Sequence, residues 1–265
     1  MSPVLFRVDA GFGIGLGHLN RCLSLASALR ETGRDCVFLT SAEPAAQHRV
    51  ETLGFVACSL DDAELGGPYD WQLTRSAANA CDGDMVVVDS YHVGADFLRR
   101  LRDAGLLVVA IDDVADFTFP CQLVINGGIC AESLPYRSST RDTRFLLGTR
   151  YAMLRPEFWR CRPRTSGRQV REVVVTMGGA DGLNLTPLVL EALDALPSDF
   201  GVTVIIGPFF KNRSEIEAVA ERSHRSVNVV MDPDSISDLM LAAGLVVSAG
   251  GQTLFELATT GAPSV

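Results

Sequence analysis

The feature that most constrains this chain is a set of short segments, apolar on every residue, that alternate with segments of helical periodicity. Residues 85–88 and 106–111 carry no polar side chain. Strands of that kind are buried on both faces, as in a parallel sheet covered by helices. Residues 4–8 read as the first strand, followed by a glycine-rich turn from Gly11 to Gly17. From His18 onward, Leu19, Cys22, Leu23, Leu25, Ala26 and Leu29 recur at spacings of three and four until Gly33 stops the run. Residues 36–39 are the next strand, and 96–104 form the helix between the two fully apolar strands. Nothing is assigned between Leu39 and Met85. The alternation predicts a doubly wound α/β sheet, which binds ligands at the carboxyl ends of its strands.

The pattern then restarts. Residues 160–171 are basic and polar, contain Pro163 and Gly167, and read as an interdomain linker. Strands are expected at 173–176, 202–206, 227–230 and 245–248, with helices at 185–196, 214–222, 236–243 and 253–259. This predicts two domains, residues 1–160 and 161–265. Pro263, Ser264 and Val265 read as the start of a further strand, so the second domain is expected to be truncated.

Composition narrows the partners. Of 265 residues, 47% are hydrophobic and 21% charged, which fits a globular fold. The net charge of −9 argues against broad binding to nucleic acid or anionic membranes. It leaves room for a phosphate ligand held by backbone N–H groups at helix starts. Seven scattered cysteines without a CxxC pair read as reduced thiols. No signal peptide and no apolar run long enough to span a bilayer are found, so the expected location is the cytoplasm.

Five motifs carry candidate chemistry. In Gly13-Ile14-Gly15-Leu16-Gly17-His18, the glycines permit tight turning, and His18 opens a helix at the sheet's carboxyl edge. A histidine there is either a general base or a helix-start residue bonded to a nearby carbonyl. A dinucleotide fingerprint is set aside, because position 18 is His and no acidic residue ends the second strand, where Leu39, Thr40 and Ser41 stand. Asp89 with Tyr91 and His92, and Asp112 with Asp113, follow later strands. Such aspartates orient a base, bind sugar hydroxyls or cap helices. Adjacent aspartates on an extended chain point opposite ways, so no metal site is expected. Gly178-Gly179-Ala180-Asp181 and Gly250-Gly251-Gln252-Thr253 each join a strand to a helix start and are candidate diphosphate loops. Glu256 lies one turn into the last helix, as a ribose acceptor or as a helix-end charge.

The segments 15–22, 88–91, 111–113, 147–158, 177–181 and 248–256 occur in the order seen in a known family. The chain resembles the UDP-2,4-diacetamido-2,4,6-trideoxy-β-L-altropyranose hydrolases of pseudaminic acid biosynthesis and their spore-coat polysaccharide relatives. The resemblance implies a GT-B fold, with two Rossmann-like domains facing a cleft. It implies hydrolysis of a UDP-sugar; no metal or other cofactor is expected, because the sequence shows no convincing metal-ligand cluster. His18 would activate water, with inversion, and Asp89 and Tyr91 would lie by the sugar. Gly15, Gly17 and Arg21 would belong to the substrate site. Gly178, Gly179, Gly250, Gly251, Gln252 and Thr253 would hold the diphosphate, and Glu256 the ribose. A glycosyltransferase on the same scaffold and a non-catalytic nucleotide-sugar-binding protein are the alternatives.

Overall fold

The computed structural model describes residues 2–11, 14–60, 65–164, 170–233 and 235–265. Two compact units emerge, one of Met1–Gly11 with His18–Met153, the other of Phe12–Gly17 with Leu154–Val265.

The first unit is built on a seven-stranded sheet of order β3-β2-β1-β4-β5-β7-β9. Its strands are β1 (Val4–Val8), β2 (Cys36–Ser41), β3 (Val56–Leu60), β4 (Met85–Asp89), β5 (Leu107–Ile111), β7 (Leu123–Asn126) and β9 (Arg144–Leu147). Every neighbouring pair is parallel. A small parallel pair, β6 (Thr118–Phe119) and β8 (Arg137–Ser138), lies apart from it. The helices are α1 (Gly17–Glu31), α2 (Pro44–Thr52), α3 (Pro68–Ala80) and α4 (Ala95–Asp103). From β1 the chain winds outward through β2 and β3, then returns to place β4 on the other side of β1. The switch point of the sheet therefore falls between the carboxyl ends of β1 and β4, where a doubly wound sheet binds its ligand.

All five residues of β1 are buried, although one of them is Arg7. Alternation places Leu5 and Arg7 on one face and Val4, Phe6 and Val8 on the other. Phe6 stacks on Phe38 of β2 with ring centroids 4.8 Å apart. On the opposite face Arg7 meets Asp70 of α3, with Nε donating to Oδ1 at 3.1 Å and Nη2 to Oδ2. The inward stripe of α3 is Asp70, Thr74 and Ala78, at i, i+4 and i+8. Two of those three residues are polar, which is why hydrophobic periodicity does not reveal this helix.

The second unit holds a four-stranded parallel sheet of order β12-β11-β10-β13. The strands are β10 (Glu172–Thr176), β11 (Gly201–Ile206), β12 (Val227–Met231) and β13 (Leu245–Ser248). They alternate with α5 (Leu185–Asp194), α6 (Arg213–Arg222), α7 (Ile236–Ala242) and α8 (Thr253–Thr260). Here the switch point lies between β10 and β13, whose ends run into the two glycine pairs. Ser264 makes a parallel bridge to Val246, so the segment after Gly261 runs along β13.

Residues 154–158 are bound into this second unit. Glu157 accepts from Ser237 N at 3.0 Å at the start of α7, and Phe158 is fully buried in the core with Val174, Ile205 and Met240. Arg164 N donates to Thr260 O at 2.9 Å, so the segment up to Arg164 is packed too. The remainder of the expected linker, residues 165–169, lies outside the described residues, as do Phe12 and Gly13 of the first glycine turn. Among the described residues no helix is long and apolar enough to cross a membrane.

Candidate functional site

At the switch point of the first unit the loops after β1 and β4 bring His18, Arg21, Cys22, Asp89 and Tyr91 together. Asp89, the last residue of β4, has no solvent exposure. Arg21, one turn into α1, reaches it with a fork: Nη2 donates to Oδ1 at 2.7 Å and Nε to Oδ2 at 2.5 Å. The third nitrogen, Nη1, donates to both oxygens of Asp113 at 2.9 and 2.7 Å. Burial alone would lower the Arg21 pKa, but the two carboxylates outweigh it and hold the guanidinium charged. Cys22 Sγ donates to Asp89 Oδ2 at 3.5 Å, and burial pushes this thiol well up, out of reach of the thiolate form. Arg21 therefore appears in the structure as the clamp of two carboxylates, and Asp89 as a buried anchor with both oxygens engaged.

The buried His18 places Nδ1 3.1 Å from Asp89 Oδ1. That distance suits a hydrogen bond, but the atoms are out of line for one, and Nδ1 has no other partner among the described residues. The imidazole packs edge-on against Tyr91, with centroids 4.5 Å apart and planes at 78°. The Tyr91 hydroxyl donates to Asp113 Oδ2 at 3.0 Å while the residue as a whole is 60% exposed. Burial of the hydroxyl, together with the Asp113 charge, pushes its pKa up to about 12. Tyr91 thus presents an open ring face that is held still at its polar end. Gly15 sits at φ +77 ahead of α1, a conformation that favours glycine; Gly17 is the first residue of the helix.

The structure adds a second histidine–aspartate pair at the same sheet edge. Asp9, one residue beyond β1, is buried, and its Oδ2 lies 2.9 Å from His92 Nδ1. Its other oxygen is held by Arg7, which in turn holds Asp70. Burial opposes the charge on Asp9, yet the Arg7 guanidinium and hydrogen bonds from Ser90 and His92 hold its carboxyl below the ordinary range. The motif readings passed over this pair. Its signal was Arg7, since a charge inside an apolar strand requires a buried partner.

In the second unit Gly178 has φ +73, Gly250 +92 and Gly251 +69, so both turns adopt the backbone that glycine supplies. Gly207 also matters: a Cβ there would lie 2.6 Å from Gly179 O, so the end of β11 packs directly on the Gly178-Gly179 turn. The first two N–H groups of α5, from Leu185 and Thr186, donate to Asp181 at 2.8 and 3.0 Å. That helix end is already capped by a carboxylate. Burial would raise the pKa of Asp181, but these bonds and Asn212 keep it low. At α8, Gly250 N donates to Ser248 Oγ at 3.2 Å, and Gln252 is the residue before the helix, with Thr253 its first. Glu256 is buried in the first turn, and both its oxygens accept from Arg155 at 2.7 Å. Arg155, whose pKa is raised by this pairing against the opposing effect of burial, lies in the 147–158 segment that the sequence reading singled out without giving it a task.

No protein-family profile matches the chain. It is 25% identical over 97% of its length to an uncharacterized protein of Methanocaldococcus jannaschii, of which it spans 54%. It is 21% identical over 93% of its length to the UDP-2,4-diacetamido-2,4,6-trideoxy-β-L-altropyranose hydrolase of Campylobacter jejuni, covering 84% of that protein. Among solved structures it resembles the glycosyltransferase SnogD of Streptomyces nogalater, with TM-score 0.59, 17% identity, and 100% of this chain and 81% of that one covered. Anabaena HepE, solved in complex with UDP-glucose, aligns with TM-score 0.62 and 14% identity over 100% of this chain and 80% of that one. This chain has the GT-B fold. The GT-B expectation is thereby met, and with it the doubly wound, parallel architecture of both units.

Proposed function

We propose that this chain hydrolyses a UDP-sugar of the 2,4-diacetamido-2,4,6-trideoxyhexose class, releasing UDP and the free sugar with inversion at the anomeric carbon. The observation that carries this reading is the His18–Asp89 pair at the switch point of the first sheet, beside the open ring of Tyr91. His18 would take a proton from water as the water oxygen bonds to the anomeric carbon. The bond from that carbon to the diphosphate oxygen breaks, and the electron pair leaves with UDP. A base so placed is worth about 10²–10⁴-fold in rate. Asp89, immobilised by Arg21 and 3.1 Å from Nδ1, would align with the imidazole as the ring gains its proton, and the Tyr91 ring would offer a flat apolar face to a pyranose. Gly15 and Gly17 would keep the backbone before α1 open to substrate.

In the second unit the turns at Gly178-Gly179 and Gly250-Gly251, with Gln252 and Thr253 at the start of α8, would hold the diphosphate through N–H groups and the helix dipole. Glu256 would accept from the ribose hydroxyls with the lone pairs that Arg155 leaves free. The hydrolase name of the Campylobacter relative and the UDP-glucose bound by the Anabaena protein support a UDP-sugar as substrate. The test is a panel of UDP-sugars followed by phosphorus NMR without any acceptor. UDP should appear with at least one of them. No UDP from any sugar would overturn the reading. Release only on addition of an acceptor hydroxyl would favour transfer, the reaction class named for the solved glycosyltransferase.

A further inference from the structure

The two histidine–aspartate pairs of the first unit are wired crosswise. His18 follows β1 and meets Asp89 at the end of β4, whereas His92 follows β4 and meets Asp9 at the end of β1. Asp9 N also donates to Asp89 O at 3.1 Å, so the two loops share one edge of the sheet. The pairs differ in quality. Asp89 divides its oxygens among Arg21, Cys22 and a misaligned His18. Asp9 gives one oxygen to Arg7 and the other to His92, and it accepts from Ser90 as well.

This wiring determines the tautomer of His92. An ionised carboxylate only accepts, so the proton of this hydrogen bond sits on Nδ1. In the neutral ring Nε2 is then the nitrogen with the lone pair. The His92 ring is 45% exposed, and among the described residues none hydrogen-bonds Nε2. The backbone of His92 is held as firmly as its ring. Its N–H donates to Ser90 Oγ at 3.0 Å. Gly66, at φ +76, packs so closely that a Cβ there would lie 1.9 Å from His92 O, while Gly66 N donates to Asp70 Oδ2 at 2.7 Å. A buried chain of Asp70, Arg7 and Asp9 thus fixes a half-exposed imidazole next to Tyr91.

The geometry points to His92 as a sugar-binding residue whose Nε2 accepts a hydrogen bond from a hydroxyl or acetamido N–H of the hexose, with Asp9 as its positioning partner. This rests on the UDP-sugar reading above and adds to it the second side chain that recognises the sugar. An acceptor at this place selects sugars that present a donor there and rejects those that present a carbonyl or a methyl group, because an unpaired buried donor or acceptor is costly.

The experiment uses the whole chain with two variants. His92→Gln keeps an acceptor near the position of Nε2, whereas His92→Asn keeps only the group that faces Asp9. The KM for the UDP-sugar should rise about five- to twentyfold in His92→Asn, with kcat within about threefold of the parent, as expected for the loss of one hydrogen bond. His92→Gln should stay within about threefold of the parent KM. Calorimetric affinity for UDP alone should be unchanged in both, since UDP carries no hexose. The inference is overturned if His92→Asn leaves KM unchanged, if it collapses kcat instead, if UDP affinity falls in parallel, or if His92→Gln is as impaired as His92→Asn. Absence of UDP release by the parent chain would overturn the hydrolase reading alone. The UDP-sugar to UDP affinity ratio, measured by calorimetry, then takes the place of KM: a ratio changed only by His92→Asn supports the inference, and one left unchanged overturns it.

Discussion

Arg155 grips Glu256 through both carboxylate oxygens, Nε to Oε1 and Nη2 to Oε2, at 2.7 Å each. The pair joins the segment before β10 to the first turn of α8, and both side chains are largely buried. A buried carboxylate so held can serve a ligand and the fold at once, and two variants separate the roles.

Glu256→Ala leaves the Arg155 guanidinium only its Glu157 contact at 3.2 Å, which should destabilise the chain by about 1–3 kcal/mol. It should also weaken UDP binding by about 1–3 kcal/mol, the range for a hydrogen bond to a charged group. The double variant Arg155→Met with Glu256→Leu removes both charges and should recover most of the stability without recovering UDP affinity. Calorimetry on the double variant decides: full affinity would reduce Glu256 to a structural partner of Arg155.

His18→Asn should lower kcat about 10²–10⁴-fold while UDP affinity stays near the parent value, since the nucleotide is assigned to the second unit. A variant with undiminished turnover would move the base to another group, with His92 the first to be tried.

Arg21→Met leaves Asp89 buried with the weak Cys22 donor and the misaligned His18 Nδ1 on its oxygens. Urea unfolding should show a loss of about 3–5 kcal/mol. Arg21→Lys should recover only part of it, because a lysine ammonium cannot reproduce the fork. A loss below about 1 kcal/mol in Arg21→Met would mean that Asp89 finds another partner.

Asp9 and Asp181 are both held below the ordinary aspartate range in the folded chain. A depressed folded pKa gives stability that is complete above the unfolded value, near 3.9, and is lost as pH falls through the folded value. Stability should therefore drop as acidity increases below about pH 4. Asp181→Ala should flatten that acid limb, besides costing about 0.5–2 kcal/mol at neutral pH from the lost cap of α5. Urea titrations at about pH 3 and about pH 6 test this; an acid limb as steep as the parent's would exclude Asp181 from it.

In the proposed reading the glycine turns would offer N–H groups to the diphosphate without recourse to a cation, so UDP binding should be unaffected by chelators. Loss of binding in chelator, restored by a divalent ion, would refute that expectation.

Much of the architecture was legible because parallel strands buried on both faces leave an unbroken apolar signature. Residues 85–88 and 107–111 show it, and in the second unit 173–175 and 245–247 do, whereas Thr203 and Asn228 interrupt β11 and β12. Strand β3 did not, because it lies at the sheet's edge with Val56 61% exposed. Helix α3 did not, because its inward stripe serves Arg7 with Asp70 and Thr74. Asp89 and Tyr91 were legible behind a strand and His18 at a helix start, Arg21 came only with the resemblance, and the structure brings all four together. The Arg7–Asp70 pair spans 63 positions, and no local pattern announces a contact of that range. Arg155 stood inside a recognised segment, but its partner Glu256 was read as facing a ligand, and only the folded chain shows the two joined.

The crosswise pairing at β1 and β4 has a consequence for anyone who would transplant this site. A loop graft covering residues 89–92 would carry an aspartate whose histidine stays behind and a histidine whose aspartate is missing. The converse graft of residues 9–21 would fail in the mirror sense. The smallest portable module is the two loops together with α3, which carries the counter-charge for Arg7. Recombination between relatives should therefore tolerate crossovers outside this block far better than any crossover that divides it.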